Sequence, residues 1–101
     1  MIHVLKMLVE KKVYGGFQDT DLGLILRNLG VDTLVFTGVA TNVCVESTLR
    51  EAFMRGFRII LLKDCTATID DELQNSSERM IEFWFGYMST SDRFIESLTT
   101  L

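Results

Sequence analysis

The sequence predicts an α/β fold in which helices cover a parallel sheet, and three observations lead there. Residues 33–38 and 57–64, TLVFTG and FRIILLKD, are near-continuous apolar runs, the pattern of strands buried on both faces of a sheet. Between them, TNVCVESTLREAFMRG places Val45, Leu49, Ala52 and Phe53 on one helical face. Strand, helix and strand within about 30 residues make a βαβ unit, whose two strands run parallel through a right-handed crossover. With 101 residues, 48% of them apolar, the chain is long enough to bury one core.

The elements follow in order. The opening MIHVLKMLVEKKVYGGF starts apolar and ends in Gly15-Gly16, which reads as a loop. In DTDLGLILRNLG, Leu22, Ile25, Leu26 and Leu29 recur at helical spacing. Asp19 and Asp21 crowd the start, and Gly30 stands where a C-cap glycine belongs, so the segment is an amphipathic helix. After the first strand, a helix carrying Cys44 spans roughly 42–55 and stops at Gly56, with Thr41 and Asn42 placed to cap it. Beyond the second strand, DDELQNSSERMIEFWFG sets Leu73, Met80, Ile81 and Trp84 on one helical face, Trp84 as a core anchor. A shorter helix then carries Phe94, Ile95 and Leu98. There is no internal repeat, no low-complexity tract and no proline.

Composition excludes several classes. A net charge of −4, with acids and bases interspersed, leaves no basic stripe for a phosphate backbone, so a nucleic-acid partner is not expected. No apolar run approaches the roughly 18 residues of a membrane helix, and the opening lacks a signal-like core. The expectation is a soluble, cytoplasmic protein with no membrane partner. Cys44 and Cys65 form no CxxC pair, and His3 is the single histidine, so neither a metal site nor a cofactor is expected.

Ligands of parallel sheets bind beyond the carboxyl ends of the strands, and residues 38–44 and 63–68 both lie at that edge. Cys44 falls at the first turn of a helix, directly after a strand and a glycine. Backbone N–H groups there stabilise a thiolate and can hydrogen-bond an oxyanion. Read singly, Cys44 fits a small core residue, Lys11 and Lys12 a solvated pair, and Tyr14 and Phe17 a cap on the core. Cys65 has no partner in the pattern. Gly38 lacks the companion glycines of a dinucleotide-binding GxGxxG turn.

The segment TGVATNVCVESTLREA, preceded by KKVYGGFQDTDLGLILRNLGVDTLVF, resembles the carboxyl half of the isochorismatase-like cysteine hydrolases, most of all their ureidoacrylate and carbamoyl amidohydrolase branch. The resemblance runs from about Lys11 to the end. It rests on a TGxxTNxC turn after an apolar strand, a lysine 33 residues before the cysteine, and a Tyr-x-x-Phe loop just after that lysine. It implies a three-layer α/β/α fold and an Asp, Lys, Cys triad. Cys44 would be the nucleophile and Lys11 the triad lysine. Lys12 competes by adjacency, and the spacing to Cys44 and Tyr14 favours Lys11. A cis peptide would join Val39 to Ala40, aiming the Ala40 N–H beside the Cys44 N–H as an oxyanion hole. Tyr14, Phe17, Thr41 and Asn42 would wall a substrate pocket.

The implied reaction is hydrolysis of a C–N bond in a small amide, ureido or carbamoyl substrate through a thioester, in a homo-oligomer without cofactor. The family's general base, an aspartate in an upstream strand ending Asp-x-Gln, has no counterpart, since Asp19, Asp21 and Asp32 all follow Lys11. Residues 1–101 are therefore expected to be a truncated, partial domain, inactive or nearly so alone. The alternative is a non-catalytic isoform that pairs with full-length subunits.

Overall fold

Three parallel strands alternate with four helices in the computed structural model, which describes residues 8–99. After a loop through residue 21 come α1 (Leu22–Asn28), β1 (Thr33–Val39), a π-helical turn (Thr41–Val45), α2 (Glu46–Met54), β2 (Arg58–Ala67), α3 (Asp71–Trp84), β3 (Tyr87–Ser89) and α4 (Ser91–Thr99). The sheet order is β1-β2-β3, and both neighbouring pairs are parallel. The predicted βαβ unit is β1-α2-β2. A second unit, β2-α3-β3, escapes a sequence reading because a three-residue strand is too short to show a period. Gly86 lets that strand dock: a Cβ there would lie 2.4 Å from the Ile59 carbonyl oxygen. His3 lies outside the described residues, as do the rest of residues 1–7 and the last two of the chain, while Leu8 of the opening apolar piece is exposed.

The core sits between the sheet and helices α2 and α3. Leu49 and Ala52 from α2, Ile59 and Leu61 from β2 and Ile81 from α3 are buried together with Phe17, Val45 and Phe57. Each fully buried leucine or isoleucine contributes about 1.5–3 kcal/mol relative to an exposed one. Strand pleating sends Leu62 to the opposite face of β2, the strand that α4 packs against, so helices flank both faces. The start of α4 is tied down by Asp64: the Ser91 N–H donates to Oδ1 at 2.8 Å and the Ser91 hydroxyl donates to Oδ2. Those two bonds, the hydroxyl first, hold the Asp64 carboxyl below its ordinary value.

Both glycine stops take left-handed backbone, Gly30 at φ +73° and Gly56 at φ +91°. Several expectations are corrected. β1 is an edge strand rather than one buried on both faces: Leu34 and Phe36 pack on the core, whereas Val35 and Val39 are exposed, Val39 at 71%. Along α3, Gln74, Ser77, Ile81 and Phe85 turn inward, so Leu73 and Met80 are exposed and Trp84 is 63% exposed, its ring packing edge-on against Phe83. Trp84 anchors no core. Asp21 makes no side-chain cap on α1, and the Thr20 hydroxyl accepts from the Leu22 N–H instead.

Candidate active site

The register of β1 on β2 breaks between Phe36 and Gly38, where β1 takes two steps while β2 takes five, from Leu61 to Thr66. The three extra residues lie on β2, which bulges there beside the end of β1 that leads into the turn bearing Cys44. Gly38 has φ +118°, while a Cβ there would meet only Val45 Cγ2 at 3.8 Å, so conformation rather than space requires the glycine. The Val39–Ala40 peptide is cis. The Ala40 carbonyl then accepts from the Val43 N–H at 3.1 Å and the Val45 N–H at 3.2 Å, the latter a five-residue π-helical bond. The segment expected as a plain helix from 42 therefore starts as a π turn, and regular α2 begins at Glu46.

Thr41 and Asn42 do not cap this helix. The Thr41 hydroxyl donates to Gln74 Oε1 on α3 at 2.6 Å, and Asn42 Oδ1 accepts from the Thr68 hydroxyl just past β2. Thr41 has no solvent exposure, which removes it from the pocket walls. Phe17 leaves them too: at 3% exposure it packs on Phe57 with ring centroids 5.9 Å apart, beneath the Arg55 guanidinium. An aromatic with no polar handle gains more from the core than from a wet loop.

Cys44, half-buried, lines a cleft of about 580 Å³ with Lys11, Lys12, Val13 and Tyr14. Thus the two residues 33 apart in sequence face the same space, and Tyr14 is exposed beside them. The Lys11 ammonium donates to the Val13 carbonyl at 3.2 Å and the Tyr14 carbonyl at 3.4 Å, which curls its loop around the head group. Lys12 lines the cleft as well. The loop is fastened to α2 from below: the Gly16 N–H donates to Thr48 Oγ1 at 2.9 Å, and the Phe17 N–H to Glu51 Oε1 at 3.3 Å. Thr48 Oγ1 in turn donates to the Cys44 carbonyl at 2.9 Å.

Cys65 is exposed, with its thiol 3.7 Å from Asp64 Oδ1, and it lines no part of this cleft. Thr48 and Gln74 are supports that the sequence reading passed over. Their signal was polarity at inward positions, a threonine one turn beyond Cys44 and a glutamine three residues before the buried Ser77 of the same helix.

Among the described residues none of the cleft's lining side chains is a carboxylic acid, and no group of three or more His, Cys, Asp or Glu side chains could hold a metal. No described helix is long and apolar enough to cross a membrane. Chemically, the arrangement offers a thiol, backbone N–H groups at a turn, and one or two ammonium groups around a small-molecule space.

Comparison with known proteins agrees with this architecture. The profile of the isochorismatase domain matches residues 4–93. The ureidoacrylate amidohydrolase RutB of Variovorax paradoxus is 44% identical over 92 residues, covering 90% of this chain and 36% of that protein. Nicotinamidase 3 of Arabidopsis thaliana is 40% identical over 91 residues, covering 90% of this chain and 46% of the relative. Among solved structures, a cysteine hydrolase from Pseudomonas syringae pv. phaseolicola superposes with a TM-score of 0.89 at 33% identity, covering 91% of this chain and 48% of that one. The chain thus spans less than half the length of these relatives. With the domain profile matched over most of its length and the parallel sheet shared with solved hydrolases, this chain belongs to the isochorismatase family.

Proposed function

We propose that this chain carries the nucleophile portion of a cysteine amidohydrolase acting on the C–N bond of a small amide, ureido or carbamoyl substrate. The observation that carries the reading is the shared cleft of Lys11 and Cys44. The relatives named for amide-type hydrolysis, ureidoacrylate amidohydrolase and nicotinamidase, support the substrate class.

In this reading a base takes the Cys44 thiol proton and Sγ attacks the carbonyl carbon. The oxyanion lies against the Ala40 and Cys44 N–H groups, with the Lys11 ammonium stabilising the thiolate and the intermediate. The C–N bond breaks as the amine leaves with the proton taken from sulfur. Water then adds to the thioester, releasing the acid and returning the proton to Cys44. The base is assigned to an aspartate on a further polypeptide segment, because no lining residue supplies a carboxylate. Loss of one member of such coupled machinery costs orders of magnitude in rate, so the chain alone turns over little.

A second reading, a non-catalytic partner of longer subunits, draws on the exposed Val35 and Val39 along the β1 edge. Two measurements separate them. Iodoacetamide should label Cys44 at least about tenfold faster than Cys65, although Cys65 is the more exposed thiol. Fusing the portion of the Variovorax relative that this chain does not cover should create ureidoacrylate hydrolysis that Cys44→Ser abolishes. Equal, slow labelling of both thiols, or turnover that survives the serine, would overturn the amidohydrolase reading.

A further inference from the structure

We infer that Gln74 is a positioning residue for the Cys44 turn, acting through Thr41; this rests on the amidohydrolase reading above. Three of the four hydrogen-bonding valences of the Gln74 amide are used, both N–H donors among them. Its Oε1 accepts from the Thr41 hydroxyl at 2.6 Å, while Nε2 donates to Glu78 Oε2 at 2.8 Å and to Thr66 Oγ1 at 3.0 Å. Thr41 is fully buried and lies between the cis-linked Ala40 and Cys44. A buried hydroxyl without a partner is costly, and among the described residues no buried side-chain polar atom lacks one.

The network has a direction. Reversing the Gln74 amide would set its carbonyl against the Glu78 carboxylate, acceptor against acceptor, and would turn Nε2 toward Thr41. Glu78 therefore orients Gln74, and Gln74 orients Thr41. Glu78 and Gln74 lie one turn apart on α3, Thr66 lies on β2, and Thr41 opens the π turn, so three elements meet at one amide. The neighbouring Thr68 hydroxyl, on Asn42 Oδ1, gives the turn a second, independent tie. Together they fix the backbone that carries the Ala40 and Cys44 N–H groups. A nucleophile and its oxyanion donors need placement to about 0.5 Å, which a turn held only by its own short bonds does not supply.

The test exchanges one atom type. Gln74→Glu replaces the donating amide nitrogen by oxygen and places two carboxyls together, an arrangement that loses its repulsion when one of them binds a proton. In the full chain, Cys44 iodoacetamide labelling relative to wild type should fall about tenfold at pH 8 and recover toward pH 5, with Cys65 labelling unchanged throughout. The double variant Gln74→Glu with Glu78→Gln restores a donor facing an acceptor and should label within about twofold of wild type at pH 8. Thr41→Val, matched in shape, should show the slowing without the pH dependence. Wild-type labelling in Gln74→Glu or Thr41→Val, or slowing that neither low pH nor Glu78→Gln relieves, would overturn the positioning role. The Cys44 to Cys65 ratio in the unaltered chain tests the nucleophile separately, so the two failures are distinguishable.

Discussion

Replacing Thr48 by valine probes the joint between the lysine loop and the cysteine turn. The Thr48 hydroxyl accepts from the Gly16 N–H and donates to the Cys44 carbonyl, both at 2.9 Å. Valine keeps the shape and removes both bonds. The bond to the Cys44 carbonyl is a back-bond within the same helix and contributes little. The Gly16 N–H is different, because Gly16 is buried and valine leaves that donor unsatisfied, at a cost of about 1–3 kcal/mol. The adjacent tie, from the Phe17 N–H to Glu51 at 3.3 Å, is longer and does not reach Gly16.

A loss of about 2 kcal/mol follows, roughly a thirtyfold change in the folding constant. Thr48→Ser keeps both bonds and deletes one methyl group, a loss of about 0.8 kcal/mol. Urea unfolding of the three proteins, with unchanged denaturant slopes, gives the comparison. Amide exchange at Gly16 should quicken in the valine variant alone. If valine proves as stable as serine at this position, the hydroxyl does not hold the loop that carries Lys11.

Two further outcomes follow from the geometry. Gly86→Ala would drive a methyl group to within 2.4 Å of the Ile59 carbonyl oxygen and 2.6 Å of its Cβ. Backbone cannot swing aside, so thermal melting should show a loss of about 1–3 kcal/mol, and an unchanged melt would refute the contact. At Asp64 the folded carboxyl is held below its unfolded value of 3.8, so over that window the unfolded chain binds more protons and stability rises with pH. The stabilising contribution is complete above the unfolded value and is lost as pH falls through the lower folded one. The melting-temperature gap between wild type and Asp64→Ala should therefore be constant from pH 7 to 5 and shrink as pH drops below 3.8; a gap that holds steady into acid would refute it.

Much of the architecture was legible because helical and strand periods are local. The amphipathic helix α1 and the stops at Gly30 and Gly56 could each be read within a dozen residues and the βαβ unit within about 30, and the backbone angles of the two glycines agree. Burial was less legible. Successive residues of a helix lie about 100° apart around its axis, and shifting the inward stripe of α3 by one position exchanges Phe85 for Trp84. Phe17 and Tyr14 sit three residues apart on one loop, yet only the docking of that loop onto α2 sends one into the core and leaves the other beside the cleft.

By itself, then, the amino-acid order determined most of the strands and helices, though not β3 or the π turn, where Cys44 falls relative to them, and the family to which the chain belongs. Tertiary structure alone decided what each polar group near Cys44 bonds to. Thr41 finds Gln74 33 residues away, Asn42 finds Thr68 26 away, and Gly16 finds Thr48 32 away. Periodicity reports on one element at a time, whereas a hydrogen bond depends on the position of two atoms after separate elements have packed, and that packing minimises exposed apolar area and unpaired polar groups over the whole fold.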